Sequence, residues 1–338
     1  MRKSVLFGTM AIAGLAAGAA AATTLEDVKA RGALNCGVNT GLVGFAAPDA
    51  DGVWGGFDVA ICRAVAAAVL GDSNAVEFVS LTGKTRFTSL AAGEIDMLSR
   101  NTTWTFSRDN DLKFEFVGIN YYDGQGFMVP RALGVSSATE LDGATVCIQT
   151  GTTTELNLAD FFRANNMSYD PVPIETNAEA QQQYLAGACD VYTTDASGLA
   201  ATRANFEAPG DHVVLPEIVS KEPLGPLVRH GDNEWGDIVR WTLNALISAE
   251  EVGITSANIG ELSAGTNNPE INRILGTEGD LGAMIGLDAE WAKRAIMVGG
   301  NYGEIFESNI GEATPIGLSR GLNAQWKDGG LLYSPPFR

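Results

Sequence analysis

Histidine is scarce in this sequence, and the cysteine spacing of common zinc sites is missing. His212 and His230 are the only two histidines, and no C-x-x-C motif occurs. Because zinc sites usually combine closely spaced cysteines with paired histidines, this pattern disfavours a zinc site. We predict that the protein holds no metal.

Positive charge is also in short supply. The chain has 22 Lys and Arg against 41 Asp and Glu, which gives a net charge of −19. Proteins that bind nucleic acid need a basic surface to neutralise phosphates, so this class is disfavoured. The excess of acidic residues is typical of a soluble exported protein, and it leaves room for a cationic pocket inside an acidic surface.

No apolar run is long enough to span a membrane. Arg2 and Lys3 precede a mostly apolar stretch over 4–17, which is shorter than the roughly 20 residues that a bilayer requires. Small residues follow, and Ala20 to Ala22 form an A-x-A cleavage site before Thr23. We predict a signal peptide over 1–22 and a mature protein that is soluble and periplasmic. The first cysteine, Cys36, lies too far along the chain for a lipid anchor.

Four cysteines, Cys36, Cys62, Cys147 and Cys189, form an even set in a chain predicted to reach an oxidising compartment. Three pairings are possible. Cysteine order favours Cys36 with Cys62 and Cys147 with Cys189, because each bridge then stays within one half of the chain. The alternative is four small buried hydrophobic residues without bridges.

Strand-like and helical patterns alternate, which predicts an α/β fold. The first half has strands at 33–38, 76–79 and 95–98 and helices at 57–70 and 86–92, with Asp58 placed to cap the first helix. After Asn120 the pattern restarts, with strands at 145–148, 172–174 and 190–193 and helices at 154–164 and 178–186. Two similar lobes are implied.

Turn residues at 122–125 and 223–226 indicate where the chain crosses between the lobes. We therefore expect lobe 1 to comprise residues 23–124 and 226–338, and lobe 2 residues 125–225. The C-terminal third is rich in predicted helix, clearest at 234–251 and 288–298. We expect this extension to wrap around lobe 1.

In the runs 56–66, 99–105, 120–127, 151–157, 193–199 and 320–324, the sequence resembles the polar amino-acid solute-binding family of ABC importers. That family has the type II periplasmic-binding fold of two α/β lobes joined by a hinge. Residues 56–66 are similar to the family signature, except that Ala60 stands where a second acid is usual. The match is closest to the subunits that bind glutamate, glutamine, aspartate and asparagine and to the broad-specificity L-amino-acid subunits. It covers almost the whole chain, through the runs 99–105, 120–127, 151–157, 193–199 and 320–324.

The resemblance assigns the two charged ends of a free amino acid. Arg108 would bind the α-carboxylate through two parallel hydrogen bonds, and Asp195, at the end of a strand, would accept the ammonium group. The alternatives are a solvated loop arginine beside Asp109 and Asp111, and an aspartate that caps a helix over 196–203.

Asn101 and Thr103 resemble positions that complete these contacts from lobe 1, although ordinary turn polarity would explain them too. In lobe 2, the amides at the start of a helix would add Thr153 to the α-carboxylate contacts. Thr152 and Glu155 have the spacing of a capping box, so pure capping is the alternative there.

Specificity should depend on residues that meet the ligand side chain. Arg86 matches a position where glutamate and aspartate binders carry an arginine, and Arg100 is a second candidate. Asn39 and Thr150 are further candidates, from lobes 1 and 2. The alternative for Arg86 is a helix-surface residue paired with an acid.

These features predict a periplasmic receptor that closes around an acidic or amide L-amino acid and delivers it to a membrane permease driven by a cytoplasmic ATPase. Such a receptor makes no bond, so we expect neither enzymatic activity nor a cofactor. The alternatives are a general L-amino-acid receptor, a receptor that feeds a signalling protein, and a dehydratase on the same fold. A dehydratase needs a general acid or base, and the matched runs contain no histidine.

Overall fold

A computed structural model describes residues 23–338 of the chain. The predicted signal peptide at 1–22 lies outside the described residues. Fourteen strands occur in the described part: β1 Leu34–Asn39, β2 Ala47–Pro48, β3 Trp54–Gly55, β4 Val76–Leu81, β5 Met97–Leu98, β6 Phe114–Phe116, β7 Tyr121–Asp123, β8 Gln125–Pro130, β9 Ala144–Gln149, β10 Tyr169–Ile174, β11 Val191–Asp195, β12 His212–Val214, β13 Glu222–Leu224 and β14 Leu227–Arg229.

Twelve α-helices accompany these strands over 23–338: α1 Thr24–Arg31, α2 Phe57–Leu70, α3 Arg86–Ala91, α4 Phe106–Asn110, α5 Thr153–Ala164, α6 Asn177–Leu185, α7 Ala196–Ala204, α8 Asn233–Val252, α9 Ile259–Ser263, α10 Pro269–Leu275, α11 Trp291–Gly299 and α12 Tyr302–Asn309. None of them is long and apolar enough to cross a membrane.

The strands form two separate five-stranded sheets, each the centre of one lobe. The sheet of lobe 1 has the order β4-β1-β5-β14-β6, and that of lobe 2 has the order β10-β9-β11-β8-β12. In both sheets the early strands pair in parallel and the returning strands pair antiparallel. The predicted architecture of two α/β lobes is confirmed.

The two crossings between the lobes lie side by side. Strand β7 pairs antiparallel with β13, and Tyr122 lies opposite Pro223. These strands fall at the turn residues from which the crossings were predicted. We call this two-stranded ribbon the hinge ribbon.

The C-terminal extension packs on the helices around the first sheet. Helix α11 lies against α2 and α8, and α12 also contacts both helices. One apolar cluster joins Phe57 of α2 with Trp235 of α8 and Tyr302 and Phe306 of α12, all fully buried. The extension therefore shares the core of lobe 1.

Two disulfides join the cysteines in the predicted pairs. Cys36–Cys62 links β1 to α2 in lobe 1, and Cys147–Cys189 links β9 to the loop just before β11 in lobe 2. Each bridge stays within one lobe, so neither restrains movement of one lobe against the other.

The largest shift of a predicted helix start is at α11, which begins at Trp291 instead of Asp288. The Asp288 carboxylate accepts hydrogen bonds from the Glu290 amide at 2.9 Å and from Arg294 at 2.7 Å. These bonds hold a turn before the helix, so the side chain that looked like a helix start stabilises the preceding loop.

Candidate functional site

A narrow cavity lies between the two lobes, beyond the ends of β5, β9 and β11. Chain reversals at strand ends place polar side chains from both lobes in this cleft. The residues that line it are Arg86, Arg100, Asn101, Thr103, Gln149, Thr152, Thr153, Thr154, Thr194 and Asp195.

Six of the nine predicted ligand-binding residues line this cavity, namely Arg86, Arg100, Asn101, Thr103, Thr153 and Asp195. The other three are not among the lining residues, although two of them bond directly to a lining residue. Asn39 donates to Asn101 Oδ1 at 2.9 Å, Arg108 donates to the Thr103 carbonyl at 2.8 Å, and Thr150 donates to the Ile174 carbonyl at 3.2 Å.

Arg86 is buried, with 2 % of its surface exposed, and does not lie on the helix surface. Its guanidinium donates to Thr102 Oγ1 at 3.2 Å and, across the cleft, to the Gly151 carbonyl at 3.4 Å. Its Nε is buried without a partner in the described residues. Burial, together with the positive charges of Arg100 and Arg108, lowers the pKa of Arg86 well below its ordinary value.

Arg100 and Arg108 are also buried arginines whose pKa is lowered by burial. Arg100 Nε donates to the Leu81 carbonyl at 2.9 Å, and its Nη2 is a second buried donor for which residues 23–338 provide no partner. Arg108 is also buried and lies with Arg86 against the Phe87 ring, 5.1 Å and 4.7 Å from its centroid. Burial lowers the pKa of both Arg100 and Arg108 to about 10.

None of these three arginines forms a salt bridge with a carboxylate of the described chain. A buried charge without a partner is costly, and a buried donor without an acceptor adds to that cost. A ligand anion placed in the cavity would relieve both costs.

Carboxylates face the cleft from lobe 2 and the hinge ribbon. Burial, and then the negative charges of Asp123 and Glu222, raise the pKa of Asp195 well above its ordinary value, while Asn101 and Arg86 lower it. No hydrogen bond joins the Asp195 side chain to the start of α7. The capping alternative for Asp195 is therefore wrong, and its carboxylate is available to a cationic group.

Glu222 is the most saturated acceptor of the site. Its Oε2 accepts hydrogen bonds from Thr103 at 2.5 Å and Thr153 at 3.0 Å, and its Oε1 from Asn157 at 2.6 Å and Ser220 at 2.7 Å. Thr103 belongs to lobe 1, whereas Thr153 and Asn157 belong to lobe 2. The carboxylate therefore bridges the lobes from the hinge ribbon.

Asp58 supports the cavity wall from behind. It was predicted to cap α2, but Gly56 occupies the cap position and no side chain bonds there. Instead, its carboxylate accepts the Asn101 amide at 2.9 Å and the Ser99 hydroxyl at 3.3 Å. Burial raises the pKa of Asp58 to about 6. These bonds fix Asn101 at a positive φ of 33°, a conformation that asparagine tolerates better than most residues.

The start of α5 departs from the predicted capping box. The Thr152 hydroxyl donates to the Gln149 carbonyl at 2.7 Å, and Glu155 accepts the amide of Gly151 instead of that of Thr152. The capping box is therefore wrong. The Thr153 hydroxyl reaches across to Thr103 Oγ1 at 3.3 Å, so it belongs to the cleft.

Direct contacts hold the lobes closed over the cavity. Asn177 of lobe 2 donates to Asn39 Oδ1 at 3.0 Å in a buried position, and Lys84 pairs with Glu175 at 2.7 Å on the surface. Asn39 therefore links Asn101 to lobe 2 instead of lining the cavity.

Sequence reasoning missed Asp123 and Glu222 as members of the site and misplaced the role of Asp58. Asp58 and Asp123 lie within the matched runs 56–66 and 120–127, and this was the available signal. Glu222 lies one residue before the predicted crossing and outside every run. Within residues 23–338, no group of three or more histidine, cysteine or acidic side chains is arranged to hold a metal ion.

Comparison with known proteins adds independent findings. Residues 34–256 match the model of the bacterial extracellular solute-binding proteins, family 3. The chain is 68% identical over the full length of both sequences to the glutamate/glutamine/aspartate/asparagine-binding protein BztA of Rhodobacter capsulatus. It is 56% identical, again over both full lengths, to the general L-amino acid-binding periplasmic protein AapJ of Rhizobium johnstonii.

A solved structure shares the fold at high similarity. An ABC transporter periplasmic binding protein from Brucella ovis, with glutathione bound, superposes with a TM-score of 0.91 at 56% identity, covering 94% of this chain and 100% of the other. This likeness confirms the predicted two-lobed periplasmic-binding fold.

Proposed function

This chain belongs to the bacterial extracellular solute-binding proteins, family 3, and we propose that it captures acidic and amide L-amino acids for an ABC importer. The ligands would be glutamate, glutamine, aspartate and asparagine. The receptor would close around one molecule and deliver it to a membrane permease whose cytoplasmic ATPase supplies the energy.

The observation that carries this proposal is the opposition of unpaired arginines and a free carboxylate across one cavity. Arg86 and Arg100 present buried donors that have no acceptor within residues 23–338, and Asp195 faces the same space. A free amino acid carries one carboxylate and one ammonium group, and both must be paired when a cleft buries them. The arginines would pair with the carboxylate, and Asp195 would pair with the ammonium group.

In this arrangement Arg108 would bind the α-carboxylate, and Thr103, Thr153 and Asn101 would complete its contacts. The two threonines would do so through their backbone amides, because their hydroxyls already donate to Glu222. Asp195 would accept the ammonium group. The Arg108 guanidinium makes one hydrogen bond within the described chain, to the Thr103 carbonyl, which leaves its other donors for the ligand. Asn39 would act by orienting Asn101, and Thr150 by holding the start of the α5 loop.

The side chain of the ligand would meet Arg86 and Arg100. Guanidinium donors suit a carboxylate best, and they also suit the oxygen of an amide. This chemistry supports a ligand set of two acids and their two amides, which is also the set in the name of the Rhodobacter relative. The name of the Rhizobium relative favours a second candidate, a general L-amino-acid receptor.

The proposal also includes the cellular location of the protein and the boundaries of its lobes. Residues 1–22 would be a cleaved signal peptide and the mature protein periplasmic. Lobe 1 would comprise 23–124 and 226–338, and lobe 2 would comprise 125–225. The protein would be a receptor without catalytic activity, because its relatives are transport receptors and its cleft groups are already committed to binding.

Calorimetric titration of the refolded, ligand-stripped mature protein tests this function. We expect tight binding of glutamate, glutamine, aspartate and asparagine and weak binding of leucine and histidine. Comparable binding of all six would establish the general receptor instead. Absence of binding to all six would refute both candidates.

A further inference from the structure

The run Arg320-Gly321-Leu322-Asn323-Ala324 takes no part in the cavity, although it is one of the segments that resemble the family. It lies in the C-terminal extension, beyond residue 256 where the family model ends. Asn323 is nevertheless 97% buried, with 3% of its surface exposed. A buried amide must find partners for both its ends.

Asn323 finds those partners on the hinge ribbon. Its Oδ1 accepts the Tyr122 amide at 2.7 Å, and its Nδ2 donates to the Tyr122 carbonyl at 3.1 Å. Tyr122 faces Pro223 on the other strand of the ribbon, and proline has no amide hydrogen to offer. The Asn323 side chain thus pairs with the outer edge of β7 in the way that a third strand would.

The segment that carries Asn323 is itself fixed to lobe 1. Arg320 forms a salt bridge with Glu250 of α8 at 2.9 Å and donates to the Asn323 carbonyl at 3.0 Å. Its guanidinium lies over the rings of Tyr302 and Phe306, 5.2 Å and 5.1 Å from their centroids. Asn323 therefore holds Tyr122 to a rigid part of lobe 1.

The next residue, Asp123, is held by the other lobe. The Asp123 carboxylate accepts the Ser197 hydroxyl of α7, and the Gly124 carbonyl accepts the Ala196 amide at 2.8 Å. Lobe 1 thus holds the strand up to Tyr122, and lobe 2 holds it from Asp123 onward. Any rotation between the lobes must be absorbed where these two sets of contacts meet.

We propose that Asn323 is a positioning residue that clamps Tyr122 to lobe 1 and confines the rotation between lobes to the Tyr122–Asp123 junction. Because Asp123 binds Ser197, two residues after Asp195, the clamp sets the position of the ammonium acceptor relative to the arginines of lobe 1. This inference rests on the proposed function and assigns a role in ligand retention to the C-terminal extension.

The test compares Asn323→Ala with Asn301→Ala in the full mature chain. Asn301 is a matched control because it is a buried amide of the same extension that bonds to Glu304 and to the Ile254 carbonyl, away from the hinge. Amide exchange of ligand-free protein reports Tyr122 protection, and stopped-flow fluorescence reports glutamate dissociation.

We expect Asn323→Ala to lose Tyr122 protection and to release glutamate roughly five- to tenfold faster, the effect of losing about one net hydrogen bond. Asn323→Asp, which keeps the acceptor for the Tyr122 amide, should recover part of both effects. Asn301→Ala should lower the melting temperature without changing glutamate dissociation.

Unchanged dissociation in Asn323→Ala, or an equal change in Asn301→Ala, would overturn the clamp. If the wild-type protein binds none of the amino acids, the proposed function fails. Tyr122 exchange would still decide the clamp in that case, because that measurement needs no ligand.

Discussion

The two sides of the cleft differ in how their charges are satisfied. On the lobe 1 side, Arg86 and Arg100 each have a buried donor that finds no partner in the described part of the chain. On the other side, Glu222 accepts four hydrogen bonds, and Asp123 is held by Ser197 and Gly124. The two arginines therefore lack some hydrogen-bond partners, whereas most of the carboxylates have theirs.

This asymmetry indicates what the site lacks. Unpaired buried donors favour a ligand rich in acceptor oxygens, and a single free carboxylate, Asp195, suffices for one ammonium group. The cleft is thus matched to a molecule with more acceptors than donors at its ends, as in an acidic amino acid. The following variants test each side in turn.

Removal of Arg108 should have the largest effect. Arg108→Ala should weaken glutamate binding at least about a hundredfold, because truncating one partner of a buried charge pair leaves the other unpaired. Calorimetry gives the affinity, and circular dichroism checks the fold. Arg163→Ala, on the exposed surface of lobe 2, is the control and should bind normally. Normal affinity in Arg108→Ala would remove Arg108 from the ligand contacts.

Neutralising the opposite side should cost less. Asp195→Asn preserves shape and one acceptor oxygen but loses the charge, so we expect glutamate to bind about thirtyfold more weakly. Asp160→Asn changes an exposed carboxylate of the same lobe and should have no effect. If the two variants behave alike, the ammonium group is bound elsewhere.

Arg86→Ala should change selectivity more than overall affinity. We expect aspartate and glutamate to lose about tenfold more affinity than alanine does, because only the acids place an anion near this guanidinium. Competition against a fluorescent ligand measures all three. Equal losses for the three ligands would place Arg86 outside the side-chain pocket.

Acid pH should weaken binding through Asp195. Burial raises its pKa in the empty site, whereas a bound ammonium group requires the ionised form. Affinity should therefore be complete above that pKa and fall by up to about tenfold per pH unit below it. Glutamine is the suitable ligand, because its side chain does not titrate. A glutamine affinity that does not fall on acidification would contradict this role.

Contacts between the lobes should have the smallest effects, and these should scale with burial. Asn177→Ala removes a buried interlobe hydrogen bond and should weaken glutamate binding about threefold. Lys84→Ala removes an exposed ion pair and should change it less than about twofold. A larger loss of affinity in Lys84→Ala than in Asn177→Ala would mean that surface charge controls closure of the lobes.

Local patterns in the sequence were sufficient for much of the fold. The spacing of apolar residues predicted α2 over 57–70, as found, and cysteine order predicted both disulfides. The ligand-binding candidates came instead from the resemblance to the solute-binding family, and six of the nine line the cavity.

The remaining features depend on partners distant in the sequence. Asn39 looked like a ligand residue, yet its amide is taken by Asn101 and by Asn177, which lies 138 residues away. Asn323 bonds to Tyr122 across a separation of 201 residues. A polar side chain can cap, line a pocket or clamp a strand equally well, and only the packing of the chain decides which partner comes within hydrogen-bonding distance. The sequence alone determined the alternating elements, the cysteine pairs and the types of charge at the cleft. The tertiary structure decided which of those charges are saturated by the protein and which are left for a ligand.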